Sequence, residues 1–406
     1  MNNLTGNNIR NCSMQFFNLF DLLMHQAKEY GLTEAQVIDH FKKLNITKTQ
    51  ILDLKNRTKL PDIEKFKQGI MTITRMNQLE IYLSMGFVPS EYRDSYFEKI
   101  KEIASLLTKR ESKTPNPIQP YFQTNLGKLY KIDCIEFLRT LPSNSVDLIF
   151  ADPPFNLNMR YDPKVNDNLS VSKYLNWTYE WLDECVRVLK DGGRIFVYNI
   201  PKWNVYVASY LERYLTFWAW IAIDMKSNFP ISGRLYPAHY ALVSYIKGSR
   251  ANTFNNQRMP LQICRHCGGE IKDYGGYKLK LNPKGINVSD VWVDIYPVRH
   301  TKTKNRKYNE LSVKLMDRII SMSTNPGDVI VDPFGGSGTT FAVAQLLNRR
   351  WIGSELGDCE GIKSRILNPE QDECLLKKVY EEKNHLFLNE SKLLRQKNGF
   401  WLPKDS

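Results

Sequence analysis

The chain has no apolar run long enough to cross a bilayer. Its longest, Leu215–Ile223 around Trp218 and Trp220, is nine residues, where a spanning helix needs about 20. Met1–Thr5 does not lead a charged stretch into an apolar core, so neither a secretory leader nor a membrane is expected. Cysteine is sparse: 7 residues, odd in number and scattered, which excludes a disulfide scaffold and fits a reducing cytoplasm. Internal repeats and extended low-complexity segments are missing. Acid is short as well, with 43 Asp+Glu against 56 Lys+Arg and a net charge of +13. The shortage is local, since residues 225–310 hold 15 Lys/Arg and only 5 Asp/Glu. Tyr236, Tyr240, Tyr245, Tyr274, Tyr277, Trp292 and Tyr296 interleave with that charge. Cations beside rings suit phosphates and bases; a solvated basic face is the plainer reading.

A length of 406 residues predicts two or three domains with ample core. Residues 1–115 read as a helical N-terminal domain, with apolar positions at helical spacing over Met14–Tyr30. From Leu32 to Arg57 the pattern gives a helix, a turn at Leu44–Thr47 and a second helix from near Lys48. This resembles the helix-turn-helix of Cro/repressor-type proteins, which implies Lys48, Thr49, Gln50, Lys55 and Arg57 as exposed readers of the major groove. A plain helical or dimerisation domain shows the same pattern. Lys109–Pro120 is polar and proline-rich, a linker. Strand and helix then alternate, as in a mostly parallel α/β sheet: strand Lys128–Ile132, helix Cys134–Thr140, strand Val146–Ala151, helix Tyr174–Leu189, turn Asp191–Gly193 and strand Arg194–Asn199. The rhythm fails over residues 251–300, which carry Cys264-Arg265-His266-Cys267-Gly268-Gly269. CxxC followed by Gly is half of a zinc ribbon. The other half is absent; His239, His266 and His300 are the nearest complements, and a metal-free loop is the expectation. Residues 121–250 and 301–360 form two halves of one core around this insert, and residues 361–406 a helical tail, charged from about Asp372 to Asn398.

Two motifs carry chemistry. Val146–Ala151 is an apolar run ending in Asp152-Pro153-Pro154-Phe155. The prolines fix φ and remove N–H groups, so the strand stops in a stiff turn at its carboxyl end, where open α/β sheets place ligands. A carboxylate, a carbonyl and an aromatic face there suit a planar base bearing an amino group. The second motif, Asp328–Thr340, is a strand, the turn Phe334-Gly335-Gly336-Ser337-Gly338 and a helix start. Glycines admit close backbone approach, and a helix N-terminus suits an anion. The next strand, Arg350–Ser354, ends at Glu355, the usual place of an acid that holds ribose hydroxyls. Without a Walker lysine after the glycines, ATP is disfavoured.

These residues resemble the amino-methyltransferases of DNA, which use S-adenosylmethionine to methylate adenine N6 or cytosine N4. Asp152-Pro153-Pro154-Phe155 looks like the family's catalytic tetrapeptide and Asp332–Thr340 like its methionine-binding loop. The tetrapeptide comes first, 180 residues before the loop, which is the order of the family's β group, with target recognition between the two. The resemblance covers roughly residues 125–360. It implies a Rossmann-like methyltransferase sheet with an N-terminal helical domain and an inserted target-recognition region. By resemblance, Asp152 and the Pro153 carbonyl accept the target amino hydrogens beside Pro154, and Phe155, in place of the commoner tyrosine, stacks on a flipped base. Asp332, Phe334, Gly335, Gly336, Ser337, Gly338 and Thr339 would surround the methionine, Glu355 the ribose and Asp133 the adenine. Asn309 and Glu310 match the start of the remaining cofactor motif, where Leu311-Ser312 replaces the frequent Lys-Pro.

The substrate implied is double-stranded DNA, with Lys278, Lys280, Lys284, Lys302, Lys304, Arg306 and Lys307 along its phosphates. A homodimer and a cognate restriction endonuclease are left open as further partners. Aspartate at the head of the tetrapeptide is commoner in adenine enzymes, so adenine N6 is expected, with cytosine N4 the alternative. Cytosine C5 chemistry would need a Pro-Cys nucleophile, and the chain has none. The rivals are a methyltransferase acting on RNA or a protein amide, which usually carries Asn-Pro-Pro-Tyr after the cofactor loop, and a DNA-binding regulator with an inert enzyme fold.

Overall fold

The computed structural model describes residues 20, 23–24, 27–28, 30–47, 51, 69–73, 75–84, 99, 118–157, 169–225, 232–233, 235–264, 266–298 and 310–403. The groove-reading candidates Lys48, Thr49, Gln50, Lys55 and Arg57 lie outside them, as do most of the Met14–Tyr30 helix, most of the linker, His300, Lys302, Lys304, Arg306, Lys307 and Asn309. Among the described residues no helix is long and apolar enough to cross a membrane. The chain divides into two units, Met1–Thr114 with Asn168–Thr178, and Pro115–Asp167 with Tyr179–Ser406.

In the first unit, helix α1 (Glu34–Lys43) opens on a capping box. Thr33 Oγ1 accepts from Gln36 N, and Thr33 N donates to Gln36 Oε1 at 2.8 Å, so two orphan amides are satisfied at once. The helix stops at Leu44, before Asn45 at φ 59°. Helix α2 (Gln78–Ser84) begins the same way, with Asn77 and Glu80 exchanging backbone-to-side-chain bonds of 2.7 and 2.9 Å. Val37, Phe41, Ile46, Ile70 and Ile81 share a small core of this unit's own.

The second unit is built on β1 (Phe122–Gln123), β2 (Gly127–Tyr130), α3 (Cys134–Thr140), β3 (Val146–Ala151), α4 (Val171–Val188), whose first half groups with the other unit, β4 (Leu189–Asn199), α5 (Pro201–Leu211), β5 (Thr216–Asp224) and β6 (His239–Ile246). The insert contributes β7 (Arg258–Met259), the single turn α6 (Tyr277–Lys280), β8 (Ile286–Asn287) and β9 (Val291–Trp292). Then follow α7 (Val313–Ser323), β10 (Val329–Asp332), α8 (Thr339–Leu346), β11 (Arg350–Ser354), α9 (Cys359–Leu367), α10 (Glu370–Glu382) and α11 (Asn389–Lys397). One sheet takes nine strands in the order β1-β2-β11-β10-β3-β4-β6-β5-β9. From β2 to β4 all neighbours run parallel, while β6 is antiparallel to both β4 and β5. The central strands are buried on both faces, as parallel sheets require. Leu148, Phe150, Phe196 and Tyr198 join Met316, Ile319 and Phe341 in the main core, while the alternate residues Ile149 and Val197 are fully buried too.

The strand Val146–Ala151 and the helix Cys134–Thr140 have the boundaries read from sequence. Asp191–Gly193 does not. The expected turn lies inside the eleven-residue β4 as a bulge, where the β3 pairing slips between Val146 and Leu148. The free end of β6 claims its backbone: Gly192 N donates to Lys247 O at 2.7 Å and Lys247 N to Gly193 O at 3.0 Å. The tail is also less uniform than expected, since α10 and α11 are separated by a non-helical turn, residues 383–388, whose backbone hydrogen-bonds to the insert.

β9 returns the insert to the main sheet. It pairs parallel with β5 at Ala222 and Ile223. Trp292 is 2% exposed beneath the Arg318 guanidinium, 4.9 Å from the ring centroid, and Arg318 forks onto Asp294 at 2.9 and 2.6 Å. Trp292→Ala is expected to destabilise the second unit by about 3–5 kcal/mol, as for a large aromatic removed from a packed core. Urea unfolding measures this, and a midpoint at the wild-type value would show that β9 is only laid against the sheet.

Candidate active site

Each of four neighbouring parallel strands ends at or just before an acid. Asp133 follows β2, Glu355 follows β11, Asp332 ends β10 and Asp152 follows β3. β3 and β10 pair at Leu148↔Ile330 and Ile149↔Val331. From β3 the chain builds toward β4 on one side, and from β10 toward β11 and β2 on the other. The acids therefore line the carboxyl edge at a topological switch point, where open sheets form a ligand crevice.

On the β3 side, Asp152 and Pro154 are half-buried, and Pro153 and Phe155 are buried. Trp203 Nε1, on α5, donates to the Phe155 carbonyl at 2.6 Å and fixes the turn. The Phe155 ring lies 6.1 Å from Tyr198 and 6.0 Å from Tyr240, which are 5.0 Å from each other. Burial, then the nearby charge of Asp152, holds the Tyr198 phenol well above its ordinary range. A carboxylate beside three aromatic rings can hold the amino edge of a flat base. Tyr198 was not singled out by sequence, because it reads there only as an apolar strand position.

On the glycine side the loop is held by its own acids. The Asp332 carboxylate is buried and accepts from Phe334 N at 2.9 Å and from the Thr340 hydroxyl at 2.6 Å. Glu355 accepts from Gly336 N and from Gly357 N, both at 2.7 Å. Gly338 has φ 78°, and a Cβ there would stand 2.8 Å from Ile362, so both conformation and space call for glycine. The Phe334 ring meets Trp181 edge-on at 5.2 Å. Asp133 caps α3, its Oδ1 accepting from Ile135 N at 2.9 Å. Behind the loop lies a residue absent from the sequence expectations. The Arg365 guanidinium, 2% exposed, donates to the Ser337 carbonyl at 3.2 Å and to Thr339 Oγ1 at 2.9 Å. It pairs with Glu310 at 3.0 Å and forks onto Asp372 at 2.8 and 2.7 Å. Asp332 thus braces the loop directly, and Glu310 does so through Arg365. A buried arginine whose partners, Glu310 and Ser337, lie well before it in the chain leaves no local pattern by which to find it.

Of the basic candidates, Lys278 reaches Glu270 at 3.8 Å, and Lys280 and Lys284 are exposed. Cys264 and Cys267 are exposed thiols. Backbone N–H groups of Cys267 and His266 lower the Cys264 pKa, but among the described residues no three His, Cys, Asp or Glu come together as a metal site.

Burial pushes the Asp332 carboxyl up to about 7, against roughly 3.9 in an unfolded chain. A raised folded value means that its contribution to stability is full below about pH 4 and is lost as pH rises through about 7. Asp332→Asn is therefore expected to flatten the fall in Tm between pH 5 and pH 8, with its gain over wild type largest at pH 8. Parallel Tm curves for the two proteins would refute the assignment.

A family model described as DNA methylase matches residues 146–360. The type II methyltransferase M.BamHI of Bacillus amyloliquefaciens is 54% identical over 398 residues, 97% of this chain and 94% of that one. The type II methyltransferase M.HpaI of Haemophilus parainfluenzae is 34% identical over 228 residues, 55% of this chain and 68% of that one. The DNA adenine methyltransferase YhdJ of Escherichia coli (strain K12) is 29% identical over 230 residues, 55% and 76% of the two chains.

Proposed function

The chain belongs to the DNA methylase family whose model spans more than half of it, and from that premise we propose that it transfers a methyl group from S-adenosyl-L-methionine to an exocyclic amino group of a base flipped out of duplex DNA. Adenine N6 is the acceptor that Asp152 favours, and cytosine N4 is the alternative. The observation that carries this reading is the parallel pairing of β3, the strand that leads into Asp152, with β10, the strand that leads into the glycine loop. Close identity along nearly the whole chain to a type II methyltransferase supports a place as the modification half of a restriction-modification pair, with an endonuclease as its functional counterpart.

The donor set fits the cofactor. The N-terminus of α8 suits a carboxylate, Phe334 offers a ring, and each Glu355 oxygen keeps a lone pair for a ribose hydroxyl beyond the bond it accepts, Oε2 from Gly336 N and Oε1 from Gly357 N. S-adenosyl-L-methionine supplies an electrophilic sulfonium methyl when bound. The residues of the chain do the rest. An exocyclic amine is a poor nucleophile because its lone pair is delocalised into the ring. Asp152 and the Pro153 carbonyl accept its two N–H bonds, which concentrates the lone pair on nitrogen. Positioning and electrostatics then supply the rate, with no covalent enzyme intermediate. Extruding the base costs a few kcal/mol, partly offset by packing against Phe155, Tyr198 and Tyr240.

Asp152→Ala is expected to lower kcat by at least about 10²–10³-fold while DNA and cofactor still bind; near-normal turnover from labelled cofactor to duplex DNA would remove the catalytic turn from its role. Mass analysis of the product nucleoside decides between adenine and cytosine. Arg365→Lys keeps the charge but not the planar fork, so the KM for the cofactor should rise with kcat and DNA affinity changed far less. An equal loss in all three would mean general unfolding.

A further inference from the structure

The last segment of the chain lies outside the residues matched by the family model, yet it is stitched into the insert. Leu261 N donates to Leu386 O at 2.9 Å, and Leu386 N to Pro283 O at 2.8 Å, so residues around 386 run between two insert segments. Arg395, fully buried, donates to the carbonyls of Gly268 and Gly269, and Asn398 Nδ2 to Cys267 O at 3.0 Å. Gly285 has φ 104°, and a Cβ there would stand 2.4 Å from Met259 O and 3.1 Å from His385 O. Backbones this close at a positive φ admit only glycine, and they make insert and tail one body.

A cavity of about 370 Å³ opens where they meet. Its polar lining is Asn282 and Lys284 from the insert and Asn384, His385 and Lys392 from the tail, with no carboxylate among its residues. Asn282 Oδ1 already accepts from Lys284 N at 2.9 Å, which leaves that side chain its NH₂ donor. Two ammonium groups, an imidazole and two carboxamides form a donor-rich lining, the chemistry of an anion site. At about 30 Å³ per water, the volume admits a phosphodiester with part of its hydration.

We propose that this cavity seats a backbone phosphate of the DNA, so that the C-terminal segment and the insert hold the duplex together. The proposal rests on the DNA methyl-transfer reading above and adds to it the segment after residue 360. His385 and Lys392 then belong to the DNA interface, and the tail fixes the insert's register on the duplex.

The test is DNA affinity of the full chain, measured against salt concentration, for wild type, for Lys284→Gln/Lys392→Gln, and for a charge-matched control, Lys377→Gln/Lys378→Gln, whose lysines are exposed on α10 outside the cavity. The cavity pair is expected to lower the slope of log affinity against log salt by about one unit, the signature of one lost phosphate contact, and to weaken binding several-fold at low salt. Tm and cofactor affinity should stay at wild-type values, and the control slope should not move. An unchanged slope in the cavity pair, or equal falls in both pairs, overturns the proposal while leaving the methyl-transfer reading intact. A wild-type chain with neither salt-dependent affinity for duplex DNA nor methyl transfer to it removes that reading and the cavity's role together.

Discussion

The pairing of β3 with β10 is the constraint on which the rest depends. Only two residue pairs define it, Leu148↔Ile330 and Ile149↔Val331, yet it joins halves separated by the whole insert. Parallel strands need a crossover, and here the crossover contains α4, β4, α5, β5, β6, the insert and α7. Slipping the register by one residue would move Leu148 and Phe150 from one buried face of the sheet to the other, against side chains they are not shaped to meet, and displace Asp152 relative to Asp332. Because all four residues are fully or nearly fully buried, the hydrophobic core itself fixes the distance between the two motifs.

The glycine loop shows how a site can be held without rigid local sequence. Its glycines permit the path but do not enforce it. The path is set by Glu355 on the Gly336 amide, by Asp332 on Phe334 and Thr340, and by Arg365 on Ser337 and Thr339. Such a network is worth having only when complete: removing one partner of a buried ion pair costs about 3–5 kcal/mol, because the remaining charge is stranded. Arg365 is satisfied from two directions, Glu310 on one side and Asp372 on the other. Residues beyond the glycine loop and its following strand therefore finish the loop's support.

The insert follows the same logic with less core to draw on. Its own ladder is two residues per strand, Arg258–Met259 against Ile286–Asn287, too little to stand alone. It is held at one end by β9 in the main sheet and at the other by the tail, through Leu386 and Arg395. The exposed rings Tyr274 and Tyr277, with Leu279, ride on this braced body. An exposed aromatic surface is thereby fixed in place without a large core of its own.

The sequence by itself determined the local chemistry: the strand and proline turn at Val146–Phe155, the strand, glycine turn and helix at Asp328–Leu347, the helix Cys134–Thr140 and the concentration of cations in one segment. These are legible because strand period, proline geometry and glycine turns act over a few residues. Their meaning as a methyltransferase came from resemblance and was borne out by family membership. Tertiary structure alone decided that β10 lies beside β3, that Asp191–Gly193 is a bulge rather than a turn, that Phe155 shares its place with Tyr198 and Tyr240, that Arg365 backs the loop, and that the tail and insert form one body. Each depends on pairing or ion contact between residues far apart in the chain, set by which buried groups can satisfy one another in three dimensions, and no local pattern encodes that choice.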